Sequence, residues 1–515
     1  MIEHFLALPV MIPLVTAVLI FFLRSRTQGI KVVSLVGSGV ALLLALVLLG
    51  QVANGEVVAV QMAGWKAPAG ITLVLDPLSG IMLALATLTG LVVQIYAWGG
   101  GLPRGREPMS FYILYQFLLM GVCGAFLTGD LFNLFVFFEV MLISSFGLMT
   151  LGSTRAQLEG GLKYVVINMV SSILFLSSLG IVYGTTGTLN MADLSVKLAA
   201  QSSPAVTAVL AMLFLVSFGI KAGLFPLFFW LPDSYHTPPP VITALFAGLL
   251  TKVGVYALIR VFTLIFLQDT DFTHGLILVI AGLTMFIGVL GAAAQNNIRR
   301  ILSFHIISQI GYMVMGLGLF TPLALAGAIL FVAHNILAKT ALFLVSGIIE
   351  HNWHTDDLKK LGGLLRTSPW LAVLFMVPAL TLAGLPPLFG FFSKYALLRA
   401  GLETEQYFIV FVSLVVSVLT LFSMMKIWNE AFWKPSPDVM ESPGQPTPRT
   451  MLFSLAFLGV LCILFGVFAE NVYELAHQAA AVVLNPELYQ TAVLSDSIDP
   501  DLLKSYPQIS ADFGD

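Results

Sequence analysis

Apolar runs long enough to cross a bilayer recur along almost the whole chain, separated by short polar turns. They fall near 4–23, 31–51, 73–98, 109–128, 131–151, 161–184, 205–231, 240–265, 274–294, 300–320, 322–348, 369–400, 406–430 and 450–469. About 20 apolar residues span the hydrocarbon core as a helix. The pattern predicts an all-α polytopic membrane protein of fourteen transmembrane helices. Thr128-Gly129-Asp130 separates the fourth and fifth spans as a tight turn. Residues 1–470 read as one transmembrane domain, and 471–515 as a polar, acidic extramembrane tail suited to lie along a neighbouring subunit.

Two spans are interrupted in nearly the same words. Ala222 to Trp230 reads AGLFPLFFW, and Ala383 to Phe391 reads AGLPPLFGF. Proline inside a helix removes a backbone hydrogen bond and crowds the preceding turn. In lipid the freed carbonyls must find protein or water. Pro226, Pro386 and Pro387 therefore mark places where backbone is expected to meet a wet interior. The copies lie in spans 7 and 12, five crossings apart, so they run in opposite directions. This predicts two inverted five-helix repeats, 109–265 (spans 4–8) and 274–430 (spans 9–13), the layout of many ion-coupled transporters.

Composition agrees with the pattern. Of 515 residues, 58% are hydrophobic and 10% charged, with a mean hydropathy of +0.95. A soluble domain carries roughly 25% charged residues. The net charge of −3 gives no reason to expect nucleic acid. Cys123 and Cys462 lie in apolar spans and read as small core residues. Met1-Ile2-Glu3-His4 lacks a basic n-region, so the first span is expected to be retained. With the N-terminus outside, fifteen Lys and Arg fall in inner loops and five in outer ones (Lys66, Lys197, Arg260, Arg399 and Lys504). The positive-inside rule then puts both termini on the outer face.

Four lysines remain, all within spans: Lys221, Lys252, Lys339 and Lys394. Glu139 is the carboxylate in the middle of a span, and His305 and His334 are the histidines within spans. An ionisable group at the bilayer centre costs roughly 2.5–3.5 kcal/mol on insertion scales, so each is a candidate functional residue. Burial disfavours the charged form of a lysine and a nearby glutamate favours it. A Lys–Glu pair of variable separation can therefore store and release a proton, which is a reason to set Glu139 against Lys221. Lys252 on the next span would pass the proton inward. His334 and Lys339, five residues apart, would flank the path rather than stack. His236 lies at the inner turn, either as a proton collector or as a plain loop histidine. Nothing in the sequence suggests a haem, iron–sulfur or nucleotide site, so no cofactor or metal is expected. The chain reads as a transporter subunit rather than an enzyme, driven by another ion gradient or by its partners.

The stretches LTGDLFNLFVFFEVMLISSFGLM, SFGIKAGLFPLFFWLPDSYHTPPPVITALFAGLLTKVGVY and AGLPPLFGFFSKY, together with YVVINMVSSILFLSSLGIVYGTTGTLNMADLS, carry a family resemblance. The chain resembles the antiporter-like membrane subunits shared by Mrp-type multisubunit Na+/H+ antiporters and respiratory complex I. YGTTGTLNMADLS and the total length place it with the D-type rather than the longer A-type Mrp subunits. The resemblance implies that Glu139 and Lys221 are the coupled pair, and Lys252 the connecting lysine. It likewise implies that Lys339 with His334 is a basic pair, and that Lys394 is the terminal residue, a position held by glutamate in one complex I homologue. It implies a proton path inside a hetero-oligomer of membrane subunits. Hard cations want several oxygen ligands, and this axis has one carboxylate, so Na+ is expected to pass through a neighbour. A prokaryotic inner membrane is implied. The alternative is a proton-pumping membrane-arm subunit of a complex I-like quinone oxidoreductase or membrane-bound hydrogenase.

Overall fold

The computed structural model describes residues 5–24, 26–102, 108–200, 204–435 and 447–495. Met1 to His4, Arg104, Arg106, Lys504 and the acidic run from Asp496 onward lie outside the described residues. The first half comprises α1 (Leu8–Phe22), α2 (Thr27–Val52), α3 (Pro77–Tyr96), α4 (Pro108–Leu127), α5 (Leu131–Thr150), α6 (Arg155–Thr186), α7 (Met191–Ala199), α8 (Pro204–Ala222), α9 (Trp230–Ser234), α10 (Pro240–Leu245) and α11 (Thr251–Leu264). The second comprises α12 (Thr270–Ala294), α13 (Ile298–Leu319), α14 (Pro322–Trp353), α15 (Leu364–Thr367), α16 (Pro369–Ala383), α17 (Phe389–Glu403), α18 (Tyr407–Ile427), α19 (Arg449–Val467), α20 (Ala469–Val483) and α21 (Pro486–Leu494).

Twelve helices among the described residues are long and apolar enough to cross a membrane. The shorter α1 and α16, the latter continued past its break by α17, bring the set to the fourteen expected. The chain is a polytopic helical membrane protein. The wholly buried segments are α10–α11 and α14, with α3 and α13 nearly so, whereas α2, α6, α12, α18 and α19 form the periphery. Lys252, His305, His334 and Lys339 therefore ride on the most buried helices of the bundle.

Three elements differ from the sequence pattern. The third span does not begin at residue 73. Val58–Gln61 (β1) and Thr72–Leu75 (β2) pair antiparallel, with Val58 opposite Leu75. The helix starts only at Pro77, because Asp76 and Ser79 form a reciprocal capping box. Secondly, α7 follows the sixth span, capped by the Asn190 side chain. Thirdly, the polar tail is not structureless up to residue 494. Its first part folds as α20 and α21, and α20 packs on α14 and α3 of this same chain. The Gln61 amide donates to the Val493 carbonyl at 3.1 Å, and Gln490 donates to Ser195 Oγ at 2.9 Å. The hairpin, α7 and α21 thus form one cap over one side of the bundle.

The two proline breaks are not kinks within continuous helices. Each helix ends in a full cap: α8 stops at Ala222 and α16 at Ala383. Gly223 and Gly384 follow with φ of +84° and +85°, left-handed values that favour glycine. Gly223 N–H donates to the Gly219 carbonyl, and Leu224 N–H donates to the same carbonyl. Gly384 and Leu385 repeat this on the Leu380 carbonyl. The pattern is that of a Schellman-type terminus, with proline following because it cannot continue the helix.

Candidate functional site

Glu139 sits halfway along α5 and is half-buried. Lys221 sits one residue before the end of α8. The two do not form a direct ion pair. Ser172 of α6 bridges them: its hydroxyl donates to Glu139 Oε1 and accepts from Lys221 Nζ, the latter at 3.1 Å. The Lys221 ammonium also stands 5.4 Å from the Phe138 ring centroid. A cavity of ≈ 20 Å³ opens beside Lys221, walled by Tyr164, Asn168, Trp230 and Tyr235. About 10–15 Å³ admits one water, and the Tyr235 hydroxyl has no hydrogen-bond partner among the described residues.

Lys252 lies deeper. Residues Phe246–Leu250 form a π-helical bulge between α10 and α11. Such a bulge spoils the regular backbone ladder and often marks a functional position. Lys252 Nζ donates to the Ala247 carbonyl in that bulge at 2.5 Å. Lys339 on α14 donates to the Leu302 carbonyl at 3.2 Å. His305 on α13 shares a hydrogen bond with Ser423 Oγ at 2.5 Å, and His334 on α14 shares one with Ser393 Oγ at 3.0 Å. All four are fully buried. The bulge packs against α14, and α14 packs against α13 and α17, so these side chains ride on neighbouring helices. The sequence-selected groups thus lie on a run of adjacent helices, α5, α6, α8, α11, α13, α14 and α17.

Lys394 on α17 ends that series. Its ammonium donates to the Ala383 carbonyl at 2.9 Å and to Ser417 Oγ at 3.1 Å, and lies 5.1 Å from the Tyr312 ring centroid. Ala383 is the last residue of α16, so the lysine caps a carbonyl that the break leaves free. Pro226 and Pro387 occupy matching positions beyond the two caps. Pro386 has no counterpart, since Phe225 stands there in the first break and its N–H donates to Thr284 Oγ1 at 3.0 Å.

His236 is set apart from the series, at the turn between α9 and α10. Its Nδ1 donates to the Pro232 carbonyl at 2.8 Å. Burial pushes its imidazole below the ordinary histidine range. The bond to Pro232 opposes that shift, and the positive charges of Arg300 and Arg299 add to it. Lys163 and Arg300 both pair with Asp233 nearby, at 3.1 and 3.5 Å.

Sequence reasoning missed two features. Ser172 is one of several serines in α6, and nothing in its spacing marks it as a bridge. Arg260 does not belong to an outer loop and does not reach out to an interface. It is buried with Asp76, the α3 cap, in a bidentate pair at 2.6 and 2.9 Å. Tyr256 OH and the Tyr489 ring of α21 complete its surroundings. Nothing in the sequence marks Asp76 and Arg260, 184 residues apart, as partners. Among the described residues, no three His, Cys, Asp or Glu side chains converge on a metal site.

The chain is similar to known proteins along most of its length. A family model described as NADH:quinone oxidoreductase/Mrp antiporter, transmembrane, matches residues 128–420. A protein of Alkalihalophilus pseudofirmus, described as the D subunit of a Na(+)/H(+) antiporter, is 48% identical, over 96% of this chain and 100% of its own length. A subunit in the structure of the Mrp complex from Dietzia sp. superposes with a TM-score of 0.90 at 34% identity, over 95% of this chain and 99% of that one. A subunit of an archaeal membrane-bound sulfane sulfur reductase superposes with a TM-score of 0.87 at 25% identity, over 95% and 99%. The chain belongs to the NADH:quinone oxidoreductase/Mrp antiporter transmembrane family.

Proposed function

We propose that this chain is the proton-translocating D subunit of a multisubunit Na+/H+ antiporter complex in a prokaryotic cell membrane. One observation carries the reading: ionisable groups sit inside a run of adjacent helices, from the Glu139–Ser172–Lys221 bridge to Lys394, with each of these two lysines beside a helix break. When a lysine held through a serine to a carboxylate loses its proton, the negative charge left on Glu139 keeps the serine hydrogen bond and attracts the next proton back to the site. Each later station is an amine or imidazole held by neutral carbonyl or hydroxyl groups, one each for Lys252, Lys339, His305 and His334 and two for Lys394. Such a group is neutral or charged according to its neighbours, so a proton arriving at one station expels the next. Na+ finds no cluster of oxygens along this series and is left to a neighbouring subunit.

The matching glycine caps support reading 109–265 and 274–430 as inverted repeats, each supplying half the path. The positive-inside count supports outward termini, and moving Arg260 into a buried pair widens that bias. The hairpin, α7, α20 and α21 would then cap the outer face. The ion pairs of Lys163, Arg299 and Arg300 would line the inner one, where His236 waits as a proton acceptor.

The test is Lys221→Ala in the whole complex, in everted vesicles from a host lacking other Na+/H+ antiporters. Na+-driven proton exchange should vanish while a native gel shows normal assembly. Normal exchange would reduce the chain to a scaffold. The likeness to the sulfane sulfur reductase subunit favours a second reading, a membrane-arm subunit of a redox-driven complex. Co-purification of hydrophilic iron–sulfur subunits would establish it.

A further inference from the structure

No hydrogen bond among the described residues joins Lys339 or His305 to Lys394, which leaves a gap between them. The facing sides of α13 and α14 fill it. Their antiparallel register is fixed by three contacts. Lys339 bonds to the Leu302 carbonyl, Tyr312 stacks on Phe331 at 4.9 Å, and Gly316 closes on Ala328. Residues three and four apart share a helix face. Gln309 therefore lies on the stripe of His305 and Tyr312, and Asn335 on the stripe of Phe331 and Lys339, at the same depth. Both residues are fully buried, and all four of their amide atoms lack a hydrogen-bond partner among the described residues. Their neighbours His305 Nδ1 and His334 Nε2 are unpartnered as well.

Two whole amides are seldom left unsatisfied in an interior, because the desolvation of each donor and acceptor is then uncompensated. Small polar sites of this kind take ordered water. The surrounding groups are lysines and histidines, so a metal cation is repelled while a neutral water is not. We infer that Gln309 and Asn335 form a water-holding station that carries protons between the Lys339–His305 pair and Lys394. An amide offers both a donor and an acceptor but keeps no proton itself, so it orients water without trapping charge. The inference rests on the proton-path reading and assigns two positioning residues to it.

The experiment compares Asn335→Leu, Gln309→Met and Asn335→Ser in the intact complex, with Lys394→Met beside them. The two apolar replacements keep the volume, and removing unpaired polar atoms leaves assembly unharmed. They should lower Na+-driven proton exchange roughly 10-fold or more, as expected when positioned proton transfer is lost. Asn335→Ser keeps a water-binding hydroxyl and should restore most of the rate. If Lys394→Met abolishes exchange while Asn335→Leu and Gln309→Met run at the normal rate, the station is dry and the inference fails alone. If Asn335→Ser is as inactive as Asn335→Leu, the amide acts by packing, which also overturns it. If Lys394→Met itself exchanges normally, the path reading falls with it.

Discussion

The two helix breaks are built alike and used differently. Both end in a left-handed glycine whose N–H and that of the following leucine close on one carbonyl. In the first break the lysine precedes the cap and is half-buried. In the second it follows the cap by ten residues and is buried. A carbonyl of the last helical turn needs a donor in both. In α8, Ile220 accepts from the Trp230 indole at 3.1 Å. In α16, Ala383 accepts from Lys394. The residue aligned with Trp230 in the second copy is Phe391, which has no N–H to give. The two carbonyls are not aligned, since Ile220 corresponds to Thr381, but the contrast holds. In the first break an indole donates to the helix end and Lys221 faces Ser172, whereas in the second the lysine itself donates to the backbone. The first site is arranged to change its partner, and the second to hold a proton in a fixed place.

This contrast makes Glu139 the asymmetric element, since among the described residues the second half has no carboxylate beside its lysine. Glu139→Gln keeps an acceptor for Ser172 and removes the charge. It should lower Na+-driven exchange roughly 100-fold, the scale of a lost proton-transfer group, with assembly unchanged on a native gel. Exchange at the normal rate would show that the serine bridge matters only for packing, and the two halves would then be alike.

The fold was legible because bilayer length is a coarse, redundant signal: fourteen apolar segments survive errors of a few residues at each end. The errors sit where local chemistry overrides hydropathy. Residues 73–75 are as apolar as a helix, yet they pair with β1, and Asp76 starts α3 later. The tail seemed merely acidic because its charges lie mostly beyond Leu494, while the apolar face of α20 was too short to stand out. The buried lysines were legible because each is costly in lipid. Their partners were not: Ser172, Gln309 and Asn335 are neutral, and only tertiary register shows what they face. Arg260 misled for the opposite reason. Its place near a helix end resembled an interface, whereas its partner lay on a distant strand-to-helix corner.

Next in size are the cap glycines. A left-handed conformation costs an L-residue about 1–2 kcal/mol, so Gly223→Ala and Gly384→Ala should both lower the melting temperature of the purified complex. They should not be equal. A Cβ on Gly223 comes no nearer than 3.2 Å to the Leu231 side chain, whereas one on Gly384 would meet Lys394 Cδ at 2.6 Å. Gly384→Ala must therefore displace the lysine as well as strain the backbone, and should depress exchange more than Gly223→Ala. Equal losses would mean that Lys394 is free to move and is not a fixed station.

The smallest expected effect tests the reason for the difference. Trp230→Phe gives the first break the residue that the second carries at the aligned position. The Ile220 carbonyl then keeps only the Gly223 N–H at 3.2 Å, and the next residue, Lys221, carries a charged donor. A hydrogen bond to a charged group is worth about 1.5–3 kcal/mol, enough to draw the lysine from Ser172 for part of the time. Exchange should fall roughly 10-fold on that energy scale, and Trp230→His, which restores a ring N–H, should recover part of it. If Trp230→Phe exchanges normally, the freed carbonyl does not compete for Lys221. The contrast between the two lysines would then rest on Glu139 alone, with the backbone of the breaks serving only to let each helix end.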